Sequence, residues 1–500
     1  MRFFTLTAAC LLVFHFLQAQ KKDDNTKTIA AFDDYVKKAL PLWQTPGISI
    51  AVVKDGNVVF KKAYGLRETG KTLPYTTTTL STCASTTKAM TATCMGMLID
   101  QGKVKWTDKV ADILPSFKLA DPYSTSQITV LDLFTHNAGL GNADMLWVSG
   151  YSREEIMQHM QLMSPSYSLR SSFIYQNLMY IVAGEVIHKL TGKTWDEFIT
   201  ESIFKQLGMN NTYADYSSLT AGMDITAPHF KDKDSIKAIP YLHKDNIGPA
   251  GGVWSCADDM AKWLLCVLDS TKINGKRLLQ PDTYAAMFTP TVMTARDEYP
   301  TYEILKPNWT TYGLGWFQHD YKGKMVQFHT GSLAGMTAIA GLIPSSKLGI
   351  YIFGNLDHAE LRHALMYKAF DLWAFNDNSN DWSSIFNALY RRMADTAAKE
   401  EADELAKRIS NTHTSLPLSA YTGKFSNKKF ATVEIALKDN MLIIDMPANI
   451  RLMLDHWHYD VFRASYNRWW FGHAWVQFLM DKAGKVGSVK IDGIEYIKTE

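Results

Sequence analysis

This sequence has almost no excess of either charge: Lys and Arg number 52, Asp and Glu 50, and the formal net charge is +2 over 500 residues. Nucleic-acid binding usually leaves a concentrated basic footprint, so no nucleic-acid partner is expected. Cysteine is scarce as well, at five residues, which argues against a disulfide-built scaffold. Cys83 and Cys94 flank one predicted helical stretch, and Cys256 and Cys266 another. Ten helical residues span about 15 Å, whereas bridged Cα atoms lie about 4.4–6.8 Å apart. Neither local pair closes, and four free, mostly buried thiols are expected. No His-Glu-x-x-His, glycine-rich phosphate loop or Cys-x-x-Cys occurs, so no cofactor is expected. Internal repeats and low-complexity segments are also absent.

Long apolar runs are missing too, apart from one at the start. In "MRFFTLTAACLLVFHFLQAQKKDD", Arg2 precedes a run from Phe3 to Leu17, and small and polar residues follow. A bilayer span needs about 20 residues. The layout is that of a secretory signal peptide over residues 1–20, cut near Ala19. Cys10 would leave with it. The expected location is periplasmic or secreted, in a bacterium, with no stable membrane insertion after cleavage.

What is present reads as a soluble globular protein, 46% hydrophobic and 20% charged. Residues 30–43 have helical character. "GISIAVVKDGNVVFKKAYG" carries two β-rich runs around Asp55-Gly56-Asn57, a hairpin signal. A helix-rich middle follows, with helices expected at "YSREEIMQHM", at "LMYIVAGEVIHKLTG" and after "SCADDMAKWLLCVL", where Ser255 and Asp258 have near capping-box spacing. Strand patterns return in "KMVQFHTG", "MTAIAGLIP" and "KLGIYIFGN". Early and late strands bracketing a helical block predict an α+β domain over 30–375, whose ends share one antiparallel sheet. Residues 376–414 read as a charged, exposed helical linker. Residues 415–500 break into short strands and turns, an all-β barrel or sandwich.

Three short motifs carry the candidate chemistry. Ser85 and Lys88, in "CASTTKAM", are i,i+3 neighbours on one helical face. A serine hydroxyl needs a base to become a nucleophile, and burial makes lysine such a base by disfavouring its ammonium form. Alone, Ser-x-x-Lys is a weak signal that also fits two ordinary surface residues. Tyr175-Gln176-Asn177 precedes a helix: a tyrosine there can relay a proton and an asparagine can hold an amide, although a core tyrosine and a helix cap would look the same. His329-Thr330-Gly331-Ser332 ends a predicted strand, where a glycine lets another backbone approach, or merely starts a turn.

In this order and spacing the three motifs resemble the serine β-lactamase and penicillin-binding-protein family, closest to class C β-lactamases and their peptidase and esterase relatives. "ITVLDLFTHNAGL", "IFKQLGMNNT", "GPAGGVWSCADDMAKWL" and "YGLGW" extend the resemblance over about residues 30–375. It implies an acyl-enzyme on Ser85, with Lys88 and Tyr175 as its base and proton relay. Asn177, His329, Thr330, Gly331 and Ser332 would bind substrate, and the N–H groups of Ser85 and Ser332 would form the oxyanion hole. The implied substrate is a small peptide, D-amino-acid amide, ester or β-lactam. One departure matters: β-lactamases usually carry Lys-Thr-Gly at the third motif, and His329 stands in place of that fixed charge. Histidine is mostly neutral near pH 7, which favours a peptidase or esterase over a true β-lactamase. A third reading is a penicillin-binding sensor of cell-wall fragments that does not turn over. "LDHWHYDVFRA" resembles the lipocalin-like domain appended to some members of this family. His456 and His458 would share a strand face there with no third ligand evident, so no metal site is expected.

Overall fold

The structure, a computed structural model, describes residues 25–499 apart from 243 and 274. The expected signal peptide and Cys10 lie outside the described residues. Among those residues, no helix is long and apolar enough to cross a membrane. Cys83, Cys94, Cys256 and Cys266 are free and buried.

Asp55 and Gly56 have φ of 49° and 78°, the pair of left-handed residues that a type I′ hairpin turn needs. They join β1 (Gly47–Lys54) to β2 (Asn57–Gly65). The other strands of this sheet come late: β3 (Val292–Met293), β4 (Thr310–Tyr312), β5 (Phe317–Tyr321), β6 (Lys324–Leu333), β7 (Met336–Ile343) and β8 (Leu348–Gly354). The spatial order is β2-β1-β8-β7-β6-β5-β4-β3, antiparallel throughout, with Ile50 opposite Ile352 where the two ends of the domain meet.

Both faces of this sheet are covered. β1 sends Ile48, Ile50 and Val52 into one core and Ala51 and Val53 into the other. The first core is shared with the N-terminal helix (25–42) and with α4 (Leu361–Phe375). The second belongs to the helical block, which includes α1 (Thr87–Asp100), α2 (Leu178–Thr191) and α3 (Ala257–Leu268). Double burial explains why β7, "MTAIAGLI", shows a continuous apolar run rather than alternation. α1 is buried along nearly its whole length, from Thr87 to Leu98, and so lacks a polar stripe.

Two local expectations need correction. The N-terminal helix already includes residue 25, the first described residue, ahead of the 30–43 that the pattern suggested. Ser255 does not cap α3: the N-cap residue is Cys256, without a side-chain cap. The Ser255 hydroxyl bonds Thr212 at 2.8 Å, and Asp258 pairs with Lys61 at 3.1 Å. A capping box does form at "YSREEIMQHM", where Ser152 and Glu155 bond reciprocally.

After α4 comes α5 (Trp382–Ala406). Its first turns insert Trp382, Phe386 and Leu389 into the core beneath the sheet, and the remaining turns are exposed. Eight further strands, β9 (Gly423–Ser426), β10 (Val433–Lys438), β11 (Met441–Met446), β12 (Ile450–His458), β13 (Val461–Tyr466), β14 (His473–Met480), β15 (Val486–Ile491) and β16 (Ile494–Lys498), pair in chain order. The barrel closes where Phe425 of β9 meets Lys498 of β16. This is an up-and-down, lipocalin-like barrel filled by its own side chains. A bulge interrupts the register between His456 and His458. His456 Nε2 bonds the Tyr459 carbonyl and His458 Nδ1 accepts from the Ile409 amide. Among the described residues, no group of three His, Cys, Asp or Glu gathers as a metal site. Phe430 packs against both the helical-block core and the barrel core, which ties the two domains together.

Candidate active site

Ser85 sits in a single 3-10 turn, Ala84–Thr86, that runs straight into α1. Ala84 has φ of 44°, a left-handed conformation that a non-glycine residue seldom adopts. The turn is held from both sides. The Ala84 amide donates to Thr82 Oγ1 at 3.0 Å, and the Cys83 amide donates to the Val253 carbonyl at 2.8 Å. Strand β6 presses against it: a Cβ on Gly331 would lie 2.3 Å from the Cys83 carbonyl oxygen and 3.1 Å from the Ser85 nitrogen. Only glycine allows that approach. Gly315, in "YGLGW", does the same on the other side of α1, with φ of 83° and a would-be Cβ 2.7 Å from the Ala89 nitrogen.

Lys88 is fully buried. Its Nζ donates to Ser85 Oγ at 3.0 Å, Asn177 Oδ1 at 2.7 Å and the Ala250 carbonyl at 2.8 Å. It also lies over the rings of Tyr175 and Tyr180, 4.8 and 5.2 Å from their centroids. Among the described residues, no carboxylate forms an ion pair with it. Burial therefore pulls its pKa down to about 7, with the more distant charge of Asp144 opposing. A neutral Lys88 amine has two hydrogens for Asn177 and Ala250, and its lone pair then points at the Ser85 hydroxyl.

Asn177 is held as firmly as it holds. Its Nδ2 donates to Asp144 Oδ1 at 3.1 Å while its Oδ1 accepts from Lys88. It occupies the N-cap position of α2, but its side chain does not cap; Gln176 Oε1 takes the Leu178 amide instead. The Tyr175 hydroxyl is buried beside Ser85 and completes no hydrogen bond. Burial raises its pKa well above the ordinary tyrosine value, so it stays a phenol.

The third motif divides in two. His329 is buried, with its ring 6.0 Å from that of Tyr175. Tyr312 donates to His329 Nε2 at 3.0 Å, and Nδ1 donates to the Thr330 carbonyl at 2.6 Å. Burial, with the Lys88 charge adding, pushes its pKa down to about 3, so the ring is neutral with both nitrogens engaged. Thr330 Oγ1 pairs with the Tyr299 hydroxyl at 2.9 Å. Ser332 is exposed at the strand end. β5 pairs with β6 only as far as Phe328, so from His329 onward that edge of β6 is open.

Several residues here had no role in the sequence reading. Ala250 supplies a carbonyl to Lys88 from within "GPAGG", a stretch whose glycines marked close packing without saying against what. Asp144 anchors Asn177 from a loop with no recognisable pattern. His136, within "THNAGL", is buried with its ring 4.4 Å from that of Tyr175; its Nδ1 accepts from the Gln176 amide and its Nε2 has no partner. Arg362 underlies the strand end, donating to the carbonyls of Gly331 and Ala338 and to Ser332 Oγ, and pairs with Glu360 at 2.9 Å.

The Beta-lactamase family model matches residues 32–371. The chain belongs to the β-lactamase family. It is a serine hydrolase of that family, carrying a lipocalin-like barrel; residues 407–499 match a domain of unknown function (DUF3471). Unguisins hydrolase ungD′ of Aspergillus campestris is 29% identical over 83% of this chain and 79% of its own length. Protein flp of Staphylococcus aureus is 23% identical over 65% of this chain and 62% of its own. Among solved structures, the octameric penicillin-binding protein homologue from Pyrococcus abyssi superposes with a TM-score of 0.63 at 20% identity, covering 94% of this chain and all of that one. A crystal structure of SurE with D-Leu gives 0.56 at 16% identity, covering 96% and all. These two likenesses are of fold.

Proposed function

We propose that this β-lactamase-family protein is an exported serine hydrolase that cleaves peptides, D-amino-acid amides or esters through an acyl-enzyme on Ser85. The observation that carries the reading is a buried lysine without a counter-charge, bonded to one serine hydroxyl. Neutral Lys88 takes the Ser85 proton as Oγ attacks the substrate carbonyl. The Ser85 and Ser332 amides receive the oxyanion, and losing one such donor typically costs about 2.7–4 kcal/mol. Tyr175, kept protonated, passes its proton to the leaving group and regains one from the Lys88 ammonium; water then releases the acyl group, its proton returning to Ser85 through the same pair. Lys88 is the resident base of this pair because burial drives the two groups apart, lysine toward its neutral form and tyrosine away from phenolate. Neutral His329 offers no fixed charge to a β-lactam carboxylate, which favours amide and ester substrates. The names of the relatives agree with this, one being an unguisins hydrolase and another a structure with D-Leu. The layout of residues 1–20 supports export.

Mass spectrometry after incubation with a fluorophosphonate tests the assignment. One adduct is expected, on Ser85, and none in Ser85→Ala. An adduct on another residue would overturn it. A fluorescent penicillin followed by washout separates turnover, which frees the label, from a sensor, which keeps it.

A further inference from the structure

The loop 240–252 has two ends with different neighbours. At one end the Ala250 carbonyl holds Lys88. At the other end, Tyr241 and Lys244 line a cavity of about 480 Å³ whose opposite wall comes from the barrel, through Ala448, Arg468 and Trp470. The cavity therefore lies between the two domains, on the segment that also holds the catalytic lysine through Ala250.

Both charged side chains in that wall are cations. Lys244 is buried, and its Nζ donates to the Val148 carbonyl at 2.6 Å. Arg468 Nη2 donates to the Ala448 carbonyl at 2.9 Å, and its Nη1 is buried with no partner. Among the described residues, neither forms an ion pair with a carboxylate. Burial and the neighbouring Arg468 charge together lower the Lys244 pKa to about 8. Two neighbouring cations, with a buried guanidinium hydrogen unused, are the arrangement an anion relieves. The planar fork of arginine suits a carboxylate in particular, and the rings of Tyr241 and Trp470 suit an apolar stem leading to it.

A chain of contacts also links the cavity to the neighbours of Lys88. Lys244 bonds Val148, in the segment 141–151 that carries Asp144, and Asp144 anchors Asn177. Asn177 is the residue that the hydrolase reading sets against the substrate amide. We propose that Lys244 and Arg468 form a subsite for a carboxylate on the acyl portion of the substrate, so that the preferred substrates are acidic and the barrel takes part in selecting them. The proposal rests on the hydrolase reading above.

The test uses the full chain and D-alanine p-nitrophenyl esters capped with succinyl, glutaryl or adipoyl groups, each as free acid and as its methyl ester. At one chain length or more, kcat/KM for the free acid should exceed that for the methyl ester about tenfold, mainly through KM. The ratio should fall as salt rises from about 0.05 to 0.5 M. Arg468→Met should return it to about one, and Arg468→Lys should keep part of it. Should Arg468→Met fail to fold, the wild-type ratio and its salt dependence decide alone. Turnover of the methyl esters with no acid preference at any length overturns the subsite and leaves the hydrolase standing. No turnover of either series and no Ser85 adduct overturns both.

Discussion

The hydrolase sheet and the barrel are built from strands of similar length, and they bury different things. β7 and β8 are buried at every position, because helices cover both faces. In the barrel, β14 alternates, with Ala474, Val476 and Phe478 inside and their neighbours toward solvent. Among the described residues, Ser488 is the one buried polar side chain of the barrel strands. The hydrolase domain buries Lys88, Glu360, Arg362, Lys368 and Asp371. A buried charge needs partners that repay its desolvation, and most of these have them. Glu360 pairs with Arg362 and His363, Asp371 pairs with Lys322 and accepts from Trp382, and Lys368 donates to the carbonyls of Asn378 and Asn380. Lys88, like Lys368, hydrogen-bonds neutral groups alone, but one of its partners is the Ser85 hydroxyl. The comparison teaches that burial in one domain makes structure and in the other tunes chemistry, and that Lys88 is where the tuning is concentrated.

Substitutions that exchange these roles sharpen the contrast. The largest effect is expected from Lys88→Met, which keeps the bulk and removes the base. Acylation by a fluorophosphonate should slow by about 10²–10⁴-fold, while the melting temperature holds or rises, because a buried cation is replaced by an apolar chain. A large drop in melting temperature would mean that Lys88 is structural. Next is Gly331→Ala. The added methyl meets the Cys83 carbonyl, and the Ser85 turn must shift to admit it. Misplacement by about 1 Å costs roughly 10²-fold in rate, so labelling should fall by that factor, with denaturant unfolding changed far less. The smallest effect on activity belongs to the barrel. Leu452→Ala opens a cavity in its core and should destabilise the protein to denaturant by about 2–5 kcal/mol. Turnover of a neutral p-nitrophenyl ester should stay within about twofold under native conditions. A matching loss of turnover would show that the barrel core shapes the catalytic cleft.

The residues read from sequence differ in how much of their setting the sequence could carry. Ser85 and Lys88 were legible because their meeting depends on local spacing, and a 3-10 turn leading into a helix brings i and i+3 together as well as an α-helix does. The hairpin at Asp55-Gly56 was legible for the same local reason. Asn177 was found, but its side chain is engaged by Lys88 and by Asp144, 33 residues away in a loop, and no spacing rule reaches that far. The neutrality of His329 was foreseen from its ordinary pKa. Its burial with both ring nitrogens engaged was not, since that depends on Tyr312 reaching it from β4. Trp382, Phe386 and Leu389 carry an i, i+4, i+7 stripe that marks the start of α5 as core-facing, a signal outweighed by the charged run after it. Ser255 had the right spacing for a cap and the wrong backbone, because it pairs with Ser81 in a short two-stranded sheet.

The central claim is that burial makes Lys88 the base for Ser85, and the pH dependence of Ser85 acylation tests it most directly. The measurement is the second-order rate of modification by a neutral fluorophosphonate from pH 5 to 10, in the full chain. With the Lys88 pKa lowered to about 7, its neutral form is scarce below that pH and dominant above it. The rate should therefore climb about tenfold per pH unit on the acid side and level off above about 7. His329 and His136 are both pushed down by burial, His329 to about 3, so neither titrates near that midpoint. A flat profile, or a rise that continues toward the ordinary lysine range near pH 10, would contradict the account.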